Sequence, residues 1–73
     1  MRKTPASNFF DVKKLRTGLQ MSQPEFALRF GFNLGTLRQW EQGRCRPDEA
    51  ARALLAVISH APETVREALA AAS

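Results

Sequence analysis

Arg38 and Gln39 stand side by side in the stretch GTLRQWEQGRCRP and carry side chains that suit planar, two-point hydrogen-bonding partners. A glutamine amide can donate to and accept from one adenine edge, and an arginine can donate to guanine or to a phosphate. Two further arginines, Arg44 and Arg46, follow closely and suit phosphate oxygens. These residue types at this spacing indicate contact with a nucleic acid.

A pair of short helices is predicted to position these residues. Ser22, followed three residues later by a glutamate, is a capping box that starts one helix at Gln23, and Gly31 ends it. Asn33 then caps a second helix that runs through Gln42. Two short helices separated by about three residues are typical of a helix-turn-helix, in which the first helix supports the second against a DNA major groove.

The outer face of the second helix is the candidate binding surface. Leu37 and Trp40, three residues apart, are the apolar residues of its inner face and must lie in the core. The residues that helical geometry then turns outward are Gly35, Thr36, Arg38, Gln39 and Gln42. Few side chains on that face are apolar, so it is predicted to meet DNA.

The predicted contacts divide into base readers and phosphate binders. Gly35 lets the helix approach the bases closely, and Leu34 either meets a thymine methyl or packs against Phe32, with both alternatives open. The predicted base-reading set is Leu34, Gly35, Arg38 and Gln39. The predicted phosphate-binding set is Gln23, Asn33, Thr36, Arg44 and Arg46.

Three more helices are predicted to complete an all-α domain. Asp11 caps the first helix of the chain. A fourth helix has Pro47 at its first position and runs to about Ser59, and a fifth begins at Pro62. No segment has the alternating pattern of a strand. We therefore expect one five-helix domain over residues 11–73.

Length and composition argue against most other functions. A chain of 73 residues buries only about 60 to 65% of its unfolded surface, which leaves no room for an enclosed active site, so an enzyme is not expected. One cysteine and one histidine predict no disulfide, no metal site and no cofactor. The longest apolar run, ALLAVI, is too short to cross a membrane, and the N-terminus lacks a signal sequence, so a cytoplasmic protein is expected.

Charge is distributed unevenly along the chain. Residues 1–46 hold nine basic and three acidic side chains, a net charge of +6, whereas residues 47–73 hold two and four, a net charge of −2. The basic half suits a polyanion, and residues 1–10 are expected to form a flexible basic arm. The acidic half is also rich in apolar residues, which predicts a two-fold dimer interface there, formed by Val57, Ile58, Val65 and Leu69.

Two other groups of residues are given structural interpretations. Lys13, Lys14 and Arg16 are predicted to form a solvated face of the first helix. Phe26, Phe30 and Phe32 are predicted to lie in the core, as Trp40 is. None of these residues is assigned to the binding surface.

The stretch DVKKLRTGLQMSQPEFALRFGFNLGTLRQWEQGRCRP, followed by ARALLAVI and APETVREAL, resembles the Xre-type helix-turn-helix domain of HigA-like antitoxins, which are related to MqsA antitoxins and phage Cro/CI repressors. The resemblance covers about Asp11 to Leu69, and FGFNLGTLRQWEQG is its most specific part. It implies a five-helix, lambda-repressor-like fold. It also implies a homodimer that binds a palindromic operator in double-stranded DNA and represses its own operon. By the same resemblance, Gln39 and the residues around Gly35 read bases, and the arginines after Gly43 hold phosphates.

Three forms of this function remain open. In an antitoxin, a RelE/HigB-like toxin would be a second partner. A phage or mobile-element repressor, such as an anti-CRISPR-associated regulator, would have no toxin. A toxin-neutralising interaction module would bind DNA only secondarily. Antitoxins of this family often have a longer N-terminal extension that wraps the toxin, whereas about ten residues precede the first predicted helix here, which favours the second form.

Overall fold

The computed structural model describes residues 11–72, which form five α-helices and no strand. The helices are α1 (Val12–Gly18), α2 (Gln23–Phe30), α3 (Leu34–Glu41), α4 (Glu49–His60) and α5 (Pro62–Ala72). The predicted all-α, five-helix fold is therefore confirmed. The arm predicted for residues 1–10 lies outside the described residues.

Polar side chains fix the start of the first four helices. In each, the side chain before the helix accepts a hydrogen bond from the backbone amide three residues later, which otherwise has no partner in the helix. The capping residues are Asp11, Ser22, Asn33 and Asp48, with distances between 2.9 and 3.2 Å. Because Asp48 caps α4, Pro47 lies before the helix and not at its first position, which corrects the predicted start.

The ends of α1, α2 and α3 share one backbone geometry. A residue in the left-handed region follows each helix, namely Gln20 (φ 62°), Gly31 (φ 76°) and Gly43 (φ 77°). The backbone amide that follows each left-handed residue donates to the carbonyl five residues earlier, at 2.9 to 3.3 Å. This hydrogen bond satisfies a carbonyl in the last turn of the helix that would otherwise have no partner. The stops predicted at Gly31 and Gly43 are confirmed, and Gln20 is a stop that lacks the usual glycine.

The core is built from residues of all five helices. Its buried residues are Val12, Phe26, Ala27, Phe30, Leu37, Trp40, Leu55, Ile58 and Val65. Phe32, in the turn between α2 and α3, stacks on Phe26 with 5.9 Å between ring centroids and meets Trp40 edge-on at 5.2 Å. These ring contacts fix α3 against α2 and confirm the core position of Trp40.

Two residues predicted for a dimer interface are part of this core. Ile58 is 0% exposed and Val65 is 7% exposed, so neither side chain is free to meet another subunit. Val57 is 51% exposed and Leu69 is half-buried, so these two keep accessible surface. Ile58 and Val65 therefore belong to the subunit's own core, which corrects their assignment to the interface, while Val57 and Leu69 stay a prediction.

Candidate nucleic-acid interface

Two apolar side chains hold one face of α3 in the core and leave the opposite face exposed to solvent. Leu37 is 0% exposed and Trp40 is 7% exposed, so both side chains are held in the core. The outward residues are exposed, as predicted: Gly35, Thr36, Arg38, Gln39 and, just past the helix, Gln42. An open helical face with hydrogen-bonding side chains is the geometry that reads a major groove.

The first turn of α3 is built around a hydrogen bond from a backbone amide to a side chain. The Asn33 Oδ1 atom accepts from the Thr36 amide at 3.0 Å. A Cβ atom at Gly35 would lie 3.1 Å from the same Oδ1 atom, which is tighter than an ordinary contact. Gly35 therefore gives room to the cap as well as keeping the outer face flat. Asn33 retains its amide nitrogen for an external acceptor, and Leu34 is half-buried against the core.

A buried ion pair ties α3 to α1. Arg16 donates from Nε to the Glu41 Oε2 atom at 2.7 Å and from Nη2 to Oε1 at 2.9 Å. Only 12% of the Arg16 side chain and 4% of the Glu41 side chain are exposed. A third Arg16 donor, Nη1, bonds to the Met21 carbonyl at 2.9 Å. The prediction that Arg16 belongs to a solvated face is therefore wrong.

The ion pair holds both groups in their charged forms. Burial alone would raise the pKa of Glu41, but the hydrogen bonds from Arg16 and Gln23 and the positive charges of Arg16 and Lys13 together lower it below its ordinary value. The hydrogen bond to Glu41 raises the pKa of Arg16. The pair is thus fully ionised at neutral pH.

Gln23 and Arg38 extend this ion pair to the exposed face of α3. The Gln23 Nε2 atom donates to Glu41 Oε1 at 3.1 Å, and its Oε1 atom accepts from Arg38 Nε at 3.2 Å. Gln23 is the first residue of α2, so one side chain joins α2 to two positions of α3. The fold thus brings Gln23, a predicted phosphate binder, into direct contact with Arg38, a predicted base reader.

Two free cations follow the end of α3. The turn at Gly43 leads into Arg44 and Arg46, and both are exposed. Within residues 11–72, neither side chain forms an ion pair or an internal hydrogen bond. Arg29 differs, because it lies 4.0 Å from the Glu25 carboxylate. Arg44 and Arg46 therefore have their full charge available for an external anion.

Residues 11–72 contain no group of three or more histidine, cysteine or acidic side chains that could hold a metal ion. None of the five helices in that range is long and apolar enough to cross a membrane. The exposed face of α3 with the arginines after it is the candidate site that the structure defines.

Two eight-residue helices joined by a three-residue turn, with a polar face open on the second, define a helix-turn-helix protein. Comparison with solved structures identifies a similar one, the crystal structure of a HTH XRE-family like protein from Agrobacterium tumefaciens. The two chains share 47% sequence identity with a TM-score of 0.80, over 81% of this chain and 95% of the other. The chain belongs to the HTH XRE family. No family model and no curated protein matches it.

Proposed function

We propose that this protein is a DNA-binding transcriptional regulator that represses transcription by occupying an operator. The observation that carries the proposal is the exposed face of α3, where Arg38 and Gln39 are accessible and are followed by Arg44 and Arg46, which have no ion-pair partner within residues 11–72. The net charge of +6 on residues 1–46, which include α1 to α3, complements a phosphate backbone. A surface of this kind suits double-stranded DNA better than a small ligand.

The side chains of this face suit distinct contacts. Gln39 is exposed and can pair with an adenine edge, and Arg38 can donate to guanine. Gly35 allows close approach, and the outer part of Leu34 can meet a thymine methyl. The remaining predicted residues suit phosphates, namely Gln23, Asn33, Thr36, Arg44 and Arg46. Gln23 can do so because its Nε2 atom carries a second hydrogen beyond the one donated to Glu41.

A homodimer completes the proposal. One recognition helix of eight residues reaches only a short part of the groove, so a single copy provides little sequence specificity. Two copies related by a two-fold axis place their recognition helices about 34 Å apart, on one face of a palindromic operator. Val57, which is 51% exposed, and Leu69 are the predicted interface residues that keep accessible apolar surface. We place the interface at these positions on α4 and α5.

Binding to the DNA upstream of the protein's own gene tests the proposal. Fluorescence anisotropy with that duplex and a scrambled duplex of equal length should give affinity for the first that is about 10³-fold or more tighter. Equal affinity for both duplexes would contradict sequence-specific repression. Sedimentation at micromolar concentration should show a dimer in wild type and a monomer in Val57→Asp, whose exposed position spares the core. A wild-type monomer would contradict the dimer.

The resemblance to HigA-like antitoxins supports a toxin as a further partner. Co-expression with the product of the adjacent open reading frame tests this form of the function. Co-purification of a small basic RelE/HigB-like protein would establish the antitoxin. A neighbourhood of small acidic inhibitor genes without such a partner would instead establish the phage or mobile-element regulator.

A further inference from the structure

Arg38 is distinguished from the other exposed side chains of α3 by a bond to the scaffold. Its Nε atom donates to Gln23 Oε1 at 3.2 Å. Within the described residues, the side chains of Thr36 and Gln39 on the same face form no such bond to α2. One side chain on the exposed face of α3 is therefore held in position in the absence of DNA.

The orientation of the Gln23 amide is determined by its neighbours. Glu41 is ionised and can only accept hydrogen bonds, so the Gln23 end that faces it must be the Nε2 donor, at 3.1 Å. The Oε1 acceptor is then directed at Arg38. Arg16 holds both oxygens of the Glu41 carboxylate in place. A reversed Gln23 amide would therefore lose its hydrogen bonds to Glu41 and to Arg38.

The bond to Gln23 does not use the two terminal NH2 groups of the Arg38 guanidinium. The bond to Gln23 uses Nε, so the Nη1 and Nη2 groups of the planar guanidinium remain available as paired donors. A long side chain loses rotamer freedom on binding, and one that is already held loses less. A guanidinium in a fixed plane suits the O6 and N7 atoms of guanine, which require a two-point contact.

We propose that Gln23 is a positioning residue that, held by Glu41 and Arg16, presents Arg38 to a guanine edge in the operator. The inference rests on the proposed function, since it assigns a base and a supporting residue to the same surface. Gln23 then contributes to base discrimination through Arg38, and any phosphate contact that it makes adds affinity without selecting sequence.

A double-mutant cycle with Gln23→Met, Arg38→Ala and the double variant tests this, with affinity for operator and for a scrambled duplex measured by anisotropy. Methionine keeps the length of glutamine and removes both hydrogen bonds. We expect Gln23→Met to lower the preference for operator over scrambled duplex by about 5-fold in wild type and by less than 2-fold in Arg38→Ala, because this effect passes through Arg38, whereas a phosphate contact of Gln23 affects both duplexes alike. Equal losses in both backgrounds would overturn the inference. The same exchange at exposed Gln20, Gln20→Met, is the matched control and should leave affinity unchanged.

Two further readouts separate this inference from the proposed function. In DNA-free protein, the Arg38 Nε–H resonance in a ¹⁵N spectrum should exchange slowly with water, and faster in Gln23→Met; an unchanged rate would overturn the positioning role whatever the DNA results. An operator with 7-deazaguanine, which lacks the N7 acceptor, should bind wild type more weakly than the normal operator but bind Arg38→Ala equally. Equal loss for both proteins would show that Arg38 does not read guanine. Failure of wild type to prefer any duplex would instead remove the proposed function, and this inference with it.

Discussion

Replacing Glu41 by glutamine should destabilise the domain strongly while keeping the shape of the side chain. The Glu41 carboxylate accepts three hydrogen bonds, two from Arg16 and one from Gln23. A glutamine has one acceptor oxygen, so its NH2 group would face donors, and Arg16 would be left charged and only 12% exposed. The ion pair joins α1 to α3, so its loss weakens the support of the recognition helix.

The expected loss is about 3 kcal/mol, the lower end of the cost of leaving one partner of a buried ion pair unpaired. A domain of this length has a total stability of about 4 to 11 kcal/mol, so the change is a large fraction of it. Urea unfolding followed by circular dichroism at pH 7 measures it. Glu25→Gln is the matched control, because Glu25 and Arg29 are 4.0 Å apart with both side chains more than 40% exposed, and should cost less than about 0.5 kcal/mol. Equal effects of the two variants would refute the reasoning.

Three other predictions follow from the structure. The stability advantage of wild type over Glu41→Gln should be complete at neutral pH and shrink as pH falls through the lowered pKa of Glu41, because protonated Glu41 no longer stabilises the fold. Urea unfolding at pH 7 and pH 3 measures this advantage, and an equal advantage at both pH values would contradict the prediction. Gln20→Gly should stabilise the domain by about 0.5 to 1 kcal/mol, because φ is 62° at this position, whereas Gly43→Ala at φ 77° should cost about 1 kcal/mol. Thermal unfolding of both variants measures these changes, and a lower stability of Gln20→Gly would contradict backbone strain at Gln20. The logarithm of operator affinity should fall with the logarithm of salt concentration with a slope of about −4, since Arg44 and Arg46 of two subunits meet four phosphates, and a flat titration would contradict a phosphate interface.

Local sequence signals predicted the parts of the fold that local chemistry determines. Ser22 and Asn33 act as caps because their side chains satisfy an amide three residues away, which a sequence pattern can show. Gly31 and Gly43 end helices because of their left-handed backbone. Once Leu37 and Trp40 are placed inside, helical geometry alone turns Gln39 outward.

The parts that sequence did not predict depend on contacts between distant residues. Arg16 and Glu41 lie 25 residues apart, and nothing in the sequence of either helix marks them as partners. The one available signal was that Arg16 follows Val12 by four residues and so shares its inward face. Sequence alone places Ile58 and Val65 at an interface because α4 and α5 carry many apolar residues, whereas the core requires both side chains.

The most direct test of DNA recognition through α3 is the ratio of affinities for operator and scrambled duplex in Gln39→Ala and Arg46→Ala. Gln39→Ala should lower the preference for operator by about 1 to 3 kcal/mol, because an amide that pairs with a base edge is lost. Arg46→Ala should weaken binding to both duplexes by similar factors and leave the preference intact, because a phosphate contact positions the protein without selecting sequence. If both variants kept the full wild-type preference, the exposed face of α3 would not be the surface that reads DNA.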